Sequence, residues 1–212
     1  LAGCGDGVVV DMGGTTTDSG IVLDNTLTLA PIGARVGDWQ TQIDSAQINT
    51  CGLGGDTQII AVDGHPTLTG RRVLPACRGG RDGLTPTDLL HYTGDFEGWD
   101  RELVVGAVDA QTDKAPDAYV DEAAAQILET IRTEVLSLYE AHPVPIIAIG
   151  APAKTWYEKI HEETGCTVIV PEHYEVANAV GAAMAAVEER VTALVRPDEE
   201  NDGYVAHVAG QC

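Results

Sequence analysis

Lysine is nearly absent from this chain: Lys114, Lys154 and Lys159 are its only three, among 12 cations set against 33 acids, for a formal charge of −21. That balance speaks against nucleic acid and anionic membrane as partners. No apolar run approaches the roughly 18 residues needed to cross a bilayer. The five cysteines (Cys4, Cys51, Cys77, Cys166, Cys212) are odd in number, scattered, and form no C-x-x-C pair, which argues against a disulfide framework or a zinc site. The G-x-x-x-x-G-K-[ST] pattern is missing too, so no strand-to-helix P-loop is expected. No secretory leader stands at the start, which makes the cytoplasm the expected compartment. The chain nevertheless opens at Leu1 without a methionine and enters an apolar strand almost at once, as a piece of a longer protein would.

What is present is a globular α/β composition, 44% hydrophobic with 24 glycines in 212 residues, enough for one large domain or two small ones. The most informative segment is V-V-V-D-M-G-G-T-T-T-D, Val8 to Asp18. An apolar strand ends on Asp11, whose carboxylate can orient a Mg²⁺-bound water. Gly13 and Gly14 remove side chains that would keep a polyphosphate from backbone N–H groups. Thr15, Thr16 and Thr17 add hydroxyls, Asp18 braces the turn, and the apolar Ser19 to Leu23 stretch predicts an antiparallel return strand. An ordinary Gly-Gly hairpin rich in threonine satisfies the same letters; the two bracketing acids favour a phosphate loop.

Further along, Pro31 to Asn49 is mixed and polar. A second glycine loop, C-G-L-G-G-D-T (Cys51 to Thr57), precedes a predicted strand at Gln58 to Val62 that ends in an Asp-Gly turn. Residues 64–116 read as an insertion with a basic glycine-rich stretch (Arg71, Arg72, Arg78, Gly79, Gly80, Arg81). A short helix in it starts at Thr85-Pro86-Thr87-Asp88, with a threonine N-cap, proline at N1 and an acid at N3. Apolar residues at helical spacing predict a helix from about Asp117 to Ala141. Val144 to Gly150 reads as a strand buried on both faces. A helix at about Ala153 to Glu163 ends at Gly165, and Cys166 to Val170 forms another buried strand. After Pro171 comes a long helix carrying Val176, Val180, Met184, Val187, Val191 and Leu194, which Pro197 should stop. Acidic Asp198 to Gly203 reads as a solvated loop or tail.

The order β-β-β, insertion, α-β-α-β-α predicts a ribonuclease-H-like α/β lobe over residues 1–195, with the insertion at about 64–116 and a tail at 196–212. That lobe is the half-unit of actin, sugar-kinase and Hsp70 ATPases. Three motifs fall in the order such a lobe requires. D-M-G-G-T-T-T-D looks like a second phosphate motif. A-I-G-A-P-A (Ala148 to Ala153) is similar to an adenosine motif, in which Gly150 and Ala151 let a purine or ribose lie against a helix N-terminus. V-A-N-A-V-G-A-A (Val176 to Ala183), with Asn178 and Gly181, is similar to the motif connecting two lobes.

Together with G-L-G-G-D-T-Q-I, P-A-C-R-G-G, T-P-T-D-L-L and V-P-E-H-Y-E-V-A-N-A-V-G-A-A, these motifs make the chain resemble the hydantoinase A/5-oxoprolinase family over residues 8–185. The resemblance implies ATP and Mg²⁺ as cofactors, with a cyclic amide such as a hydantoin or 5-oxoproline as substrate. Alternatives are a carboxylase-type subunit or an actin-like nucleotide switch without lactam chemistry. It implies Asp11 (also the metal residue) and Asp18 in the catalytic role. Nucleotide would be held by Gly13, Gly14, Thr15, Thr16, Thr17, Gly150, Ala151, Asn178 and Gly181. Expected partners are a missing N-terminal lobe, which would carry a first phosphate hairpin, and a second hydantoinase-type subunit. One departure is visible: Asp56 stands where the related loop, G-A-G-G-G-S, has glycine.

Other chemistry-bearing residues invite plainer explanations. His65, His91, His142, His161 and His207 are expected to be solvated near loops or element ends, and His173 is a weaker site candidate. Cys77 is expected to be a structural thiol. The arginines of residues 71–81 read as a basic loop balancing an acidic protein, although they could also grip anions.

Overall fold

In the computed structural model, which describes residues 3, 5–30, 33, 35, 36, 39, 40, 46–113, 115–141, 143–185, 193–197 and 203–208, the V-V-V-D-M run forms β1 (Gly7–Met12). Its alternation is that of a strand facing a core on one side: Val8, Val10 and Met12 are fully buried, while Val9 and Asp11 on the other face are half-buried. The chain divides by internal contacts into Leu1–Ala177 and Asn178–Cys212.

In the first unit, β2 (Thr17–Leu23) returns antiparallel to β1 as expected. Asp24 and Asn25 both take positive φ, 51° and 58°, the conformation of a two-residue hairpin turn. The chain therefore doubles back immediately as β3 (Thr26–Leu27). A two-stranded pair, β4 (Arg35–Val36) and β5 (Trp39–Gln40), precedes β6 (Ile48–Cys51), which also pairs with β2. The predicted third strand of the main sheet is thereby corrected. β7 (Thr57–Val62) turns through Asp63 and Gly64 (φ 52° and 76°) and pairs with β8 (His65–Arg72) in a separate two-stranded sheet. The local Asp-Gly hairpin captures the strand, and β3 and β6 occupy the place on β2 that it was expected to fill.

Beyond β8 come α1 (Pro86–Thr93), α2 (Arg101–Asp109) and α3 (Pro116–Ala141). The Thr85 hydroxyl caps α1 by accepting from Asp88 N–H, and proline occupies the first helical turn as predicted. Helix α2 is additional to the single short helix expected in the insertion; Asp100 is its N-cap and accepts from Glu102 and Leu103 N–H. Then β9 (Ile146–Ile149), α4 (Ala153–Thr164) and β10 (Val168–Ile169) alternate. Gly165 (φ 71°) closes α4 as predicted. The main sheet is mixed, with order β10-β9-β1-β2-β3 and parallel pairing of β1 with β9 and β9 with β10. One continuous core joins Val8, Val10 and Met12 to Ile146 and Ala148 of the sheet and to Tyr119, Ile127 and Ile131 of α3. Burying an aliphatic side chain such as Ile127 contributes about 1.5–3 kcal/mol.

The long helix expected after Pro171 is corrected as well. Helix α5 (Ala177–Met184) stops at Met184, and Leu194 lies instead in β11 (Ala193–Pro197), which pairs antiparallel with β12 (Tyr204–Val208). Proline at the end of β11 cannot continue a helix, and the aliphatic A-L-V run pairs readily with Y-V-A-H-V. Val187, Val191 and residues 198–202 lie outside the described residues, as do His142, Cys4 and Cys212. Among the described residues no helix is long and apolar enough to cross a membrane.

Candidate functional site

The carboxyl ends of parallel β1 and β9 lie side by side, Asp11 opposite Ile149. Binding sites of open α/β sheets form outside such strand ends. Both proposed nucleotide motifs of this unit therefore emerge at one edge. Gly150 (φ 95°) leaves β9 so close to β1 that a Cβ on it would stand 2.1 Å from the Met12 carbonyl oxygen and 3.1 Å from Asp11 Oδ1. Only glycine fits there without displacing β1. Ala151 is exposed beyond it, and α4 begins two residues later with no side-chain cap on its first turn. Ala153 N–H donates to Gly150 O at 3.0 Å; N–H groups of a helix start that no side chain caps suit an anion or a ribose.

Asp11 and Asp18 are direct cross-strand partners, so their side chains share one face of the sheet. Like charges placed opposite each other destabilise a strand pair, and a cation relieves that cost. The Asp18 carboxylate accepts from the Thr50 hydroxyl at 2.6 Å. No cluster of three or more acidic, histidine or cysteine ligands occurs among the described residues. A pair of carboxylates nevertheless suits Mg²⁺, which keeps several waters and is commonly held by one or two carboxylates plus phosphate oxygens.

Between the two acids, the turn is closed by Gly13 N–H donating to Thr16 O at 2.9 Å. Gly14 and Thr15 are exposed and Thr16 half-buried, open to a ligand. Thr17 differs: its hydroxyl is buried and donates to Leu53 O at 2.7 Å. It fastens the neighbouring loop and presents nothing to solvent.

That neighbouring loop is the second glycine motif, Cys51 to Thr57. It lies directly on the hairpin. Gly55 and Asp56 N–H donate to the carbonyls of Gly13 (2.9 Å) and Gly14 (2.7 Å). A Cβ on Gly54 would sit 2.5 Å from Gly14 C and Thr15 N. Three glycines within four residues were the available signal for this backbone-to-backbone approach.

The loop is itself anchored from behind. Gly55 O accepts from Thr87 N–H in the first turn of α1 at 3.0 Å. Fully buried Asp88, one residue on, accepts from Ala76 N–H (3.0 Å), Cys77 N–H (2.8 Å) and the Thr85 hydroxyl (2.8 Å). The P-A-C-R-G-G and T-P-T-D-L-L motifs thus form a buttress that holds the glycine loop against the hairpin. Burial and the adjacent Asp88 carboxylate push the Cys77 thiol up to about 12, which removes it as a nucleophile at neutral pH.

His91 corrects the expectation of a solvated ring. It is buried, its Nδ1 lies 2.8 Å from Thr87 O, and its Nε2 accepts from Trp99 N–H at 3.1 Å. Both nitrogens are used structurally, with Nδ1 carrying the proton. His173 is exposed beside Glu172. Asn178 and Gly181 lie on α5 in the second unit and are exposed. Two clefts are lined by residues outside the hairpin: one of about 560 Å³ between Gly79, Gly80, Arg81 and α2, and one of about 480 Å³ around Phe96 and Trp99.

The geometry defines a mixed α/β domain whose glycine hairpin and uncapped helix start share the carboxyl edge of the sheet. The family model described as Hydantoinase/oxoprolinase matches residues 1–191, and the chain belongs to that family. Its fold is similar to that of acetone carboxylase in a nucleotide-free structure, described under the mechanism of ATP-dependent acetone carboxylation. The TM-score is 0.75 at 18% identity, over 91% of this chain and 31% of that one. The chain thus spans about a third of that solved relative. A second solved structure, the ethanolamine utilization protein EutJ from Carboxydothermus hydrogenoformans, aligns at a TM-score of 0.44 and 16% identity, over 86% of this chain and 50% of that one. No curated protein matches the chain.

Proposed function

We propose that this chain is the ribonuclease-H-like, phosphate-holding lobe of an ATP-dependent enzyme, and that the whole enzyme opens a cyclic amide of the hydantoin or 5-oxoproline type. The observation that carries the proposal is the shared edge. Asp11, the Gly13 to Thr16 turn and Gly150 converge there, with Asp11 Oδ1 3.1 Å from the Gly150 Cβ position. Family membership supports it independently.

In this proposal Gly13, Gly14, Thr15 and Thr16 hold terminal phosphates, while Gly150 and Ala151 at the start of α4 hold the nucleoside. Asp11 and Asp18 would hold Mg²⁺, which when bound screens the charge of the transferring phosphoryl group. An unstrained lactam opens reluctantly. Transfer of the γ-phosphoryl group to its carbonyl oxygen makes the carbonyl carbon open to water, and the lobe's task is to align and stabilise that transfer. A first phosphate hairpin on another lobe would complete the nucleotide clamp, with a second subunit of hydantoinase type as partner.

A carboxylase-type activity is the second proposal. It is favoured by the fold shared with acetone carboxylase. Phosphate release by the whole enzyme separates the two. Release that depends on a hydantoin or 5-oxoproline supports ring opening; release that ignores every cyclic amide and requires a ketone with bicarbonate supports carboxylation. Release dependent on neither class removes both.

A further inference from the structure

Resting on the assignment of phosphate to the hairpin, we propose that Arg72 is a further binding residue of the site: its guanidinium engages the terminal phosphates of the nucleotide at the Gly13 to Thr16 turn. Arg72 ends β8, opposite Thr57 in register, so the β7-β8 hairpin carries it back to the glycine loop from sixteen positions away. There Asp56 Oδ2 accepts from Arg72 Nε at 3.2 Å and from Nη2 at 3.1 Å. Nη2 also lies 3.8 Å from the Cβ position of Gly14, and Asp56 Oδ2 lies 2.9 Å from it. The guanidinium is therefore already held at the glycine whose missing side chain opens the turn.

With Mg²⁺ assigned to Asp11 and Asp18, Asp56 is the remaining carboxylate at the turn, its Oδ2 2.9 Å from the Gly14 Cβ position, and a polyphosphate approaching it is repelled unless positive charge stands beside it. Guanidinium suits the task because its planar fork presents several donors to phosphate, and Asp56 uses only part of them. The Arg72 side chain is 65% exposed. Asp56 is only 18% exposed, so the acid is fixed at the turn while the guanidinium it holds faces solvent, where a phosphate can reach it. Arg71 belongs to the opposite face by strand alternation, and Arg78 lies over the Trp99 ring. The basic stretch thus divides by position, with Arg72 the member carried to the hairpin.

The test is calorimetric titration of the whole enzyme, other lobe included, and its Arg72→Gln and Arg72→Lys variants with Mg·ATP, pyrophosphate and AMP, with circular dichroism verifying each fold. Arg72→Gln should weaken Mg·ATP and pyrophosphate about tenfold, flatten the salt dependence of both, and leave AMP unchanged. Arg72→Lys should fall between. If Arg72→Gln binds pyrophosphate as tightly as the unsubstituted protein, the role of Arg72 is overturned while the hairpin site stands. If the unsubstituted protein takes up neither Mg·ATP nor pyrophosphate, the hairpin site is refuted and Arg72 with it.

Discussion

Substituting Gly150 by alanine tests the contact on which the site depends, the approach of the β9 end to the β1 end. Two costs combine. The φ of 95° is one that residues with a Cβ avoid, at a cost of about 1–2 kcal/mol. The new methyl would also stand 2.1 Å from Met12 O, and relieving such overlap in a packed region costs about 1–3 kcal/mol more. Gly165→Ala isolates the first cost, because Gly165 has φ 71° with nothing within 4 Å of its Cβ position. In a domain of this size each kcal/mol moves the melting temperature by about 2–4 °C. Gly150→Ala should therefore lower Tm by about 7–14 °C for a central cost of about 3.5 kcal/mol, and Gly165→Ala by about 3–6 °C for a central cost of about 1.5 kcal/mol. Scanning calorimetry of both variants measures the difference. Equal losses would mean that β1 and Gly150 do not meet, and the shared edge would be lost with that contact.

Gly54→Ala should force the second glycine loop off the hairpin, breaking the Gly55 and Asp56 hydrogen bonds to Gly13 and Gly14; a stability loss of about 2–4 kcal/mol in urea titration is expected. Asp88→Ala leaves the N–H groups of Ala76 and Cys77 and the Thr85 hydroxyl without their acceptor, at a cost of about 3 kcal/mol or more in the same titration. In the native protein Cys77 should resist iodoacetamide at pH 8, and Asp88→Ala should restore its labelling. Because its folded value is raised from 9.0 to about 12, only the unfolded state loses this proton between those limits. The Cys77 contribution therefore makes stability fall as pH rises from about 9 to about 12, read from unfolding midpoints across that range. Asp11→Asn in the whole enzyme should abolish turnover with little change in Tm; an unaltered rate would remove Asp11 from the chemistry.

Local signals carried well where the structure depends on neighbours in sequence. The Thr85 cap, the α3 periodicity, the Gly165 stop and the hairpin between Asp11 and Asp18 were all legible, because each is encoded within one or two turns of chain. Pairing of β6 with β2 was not, since the 31-residue interval from Thr17 to Ile48 leaves no local mark. Helix α2 was missed although its cap was present, because the insertion was read from its glycines and arginines. The long helix after Pro171 was over-extended because apolar spacing through Leu194 fits a helix, while pairing of Ala193–Pro197 with Tyr204–Val208 is a contact between segments. His91 was misjudged because burial follows from Trp99 and Thr87 closing on its ring.

Residue order alone dictated that a strand would stop at an acid, turn through two glycines and return, and that the family's motifs would follow in register along the chain. Propensity, capping and periodicity are properties of short segments, so they survive without coordinates. Tertiary packing alone decided which segments meet: that Gly54 would rest on the Gly14 backbone, that Gly150 would press against Met12, and that Arg72 would come back to Asp56. Those contacts join residues that short-range preferences cannot relate, and they exist only once one core excludes every other arrangement of the same strands.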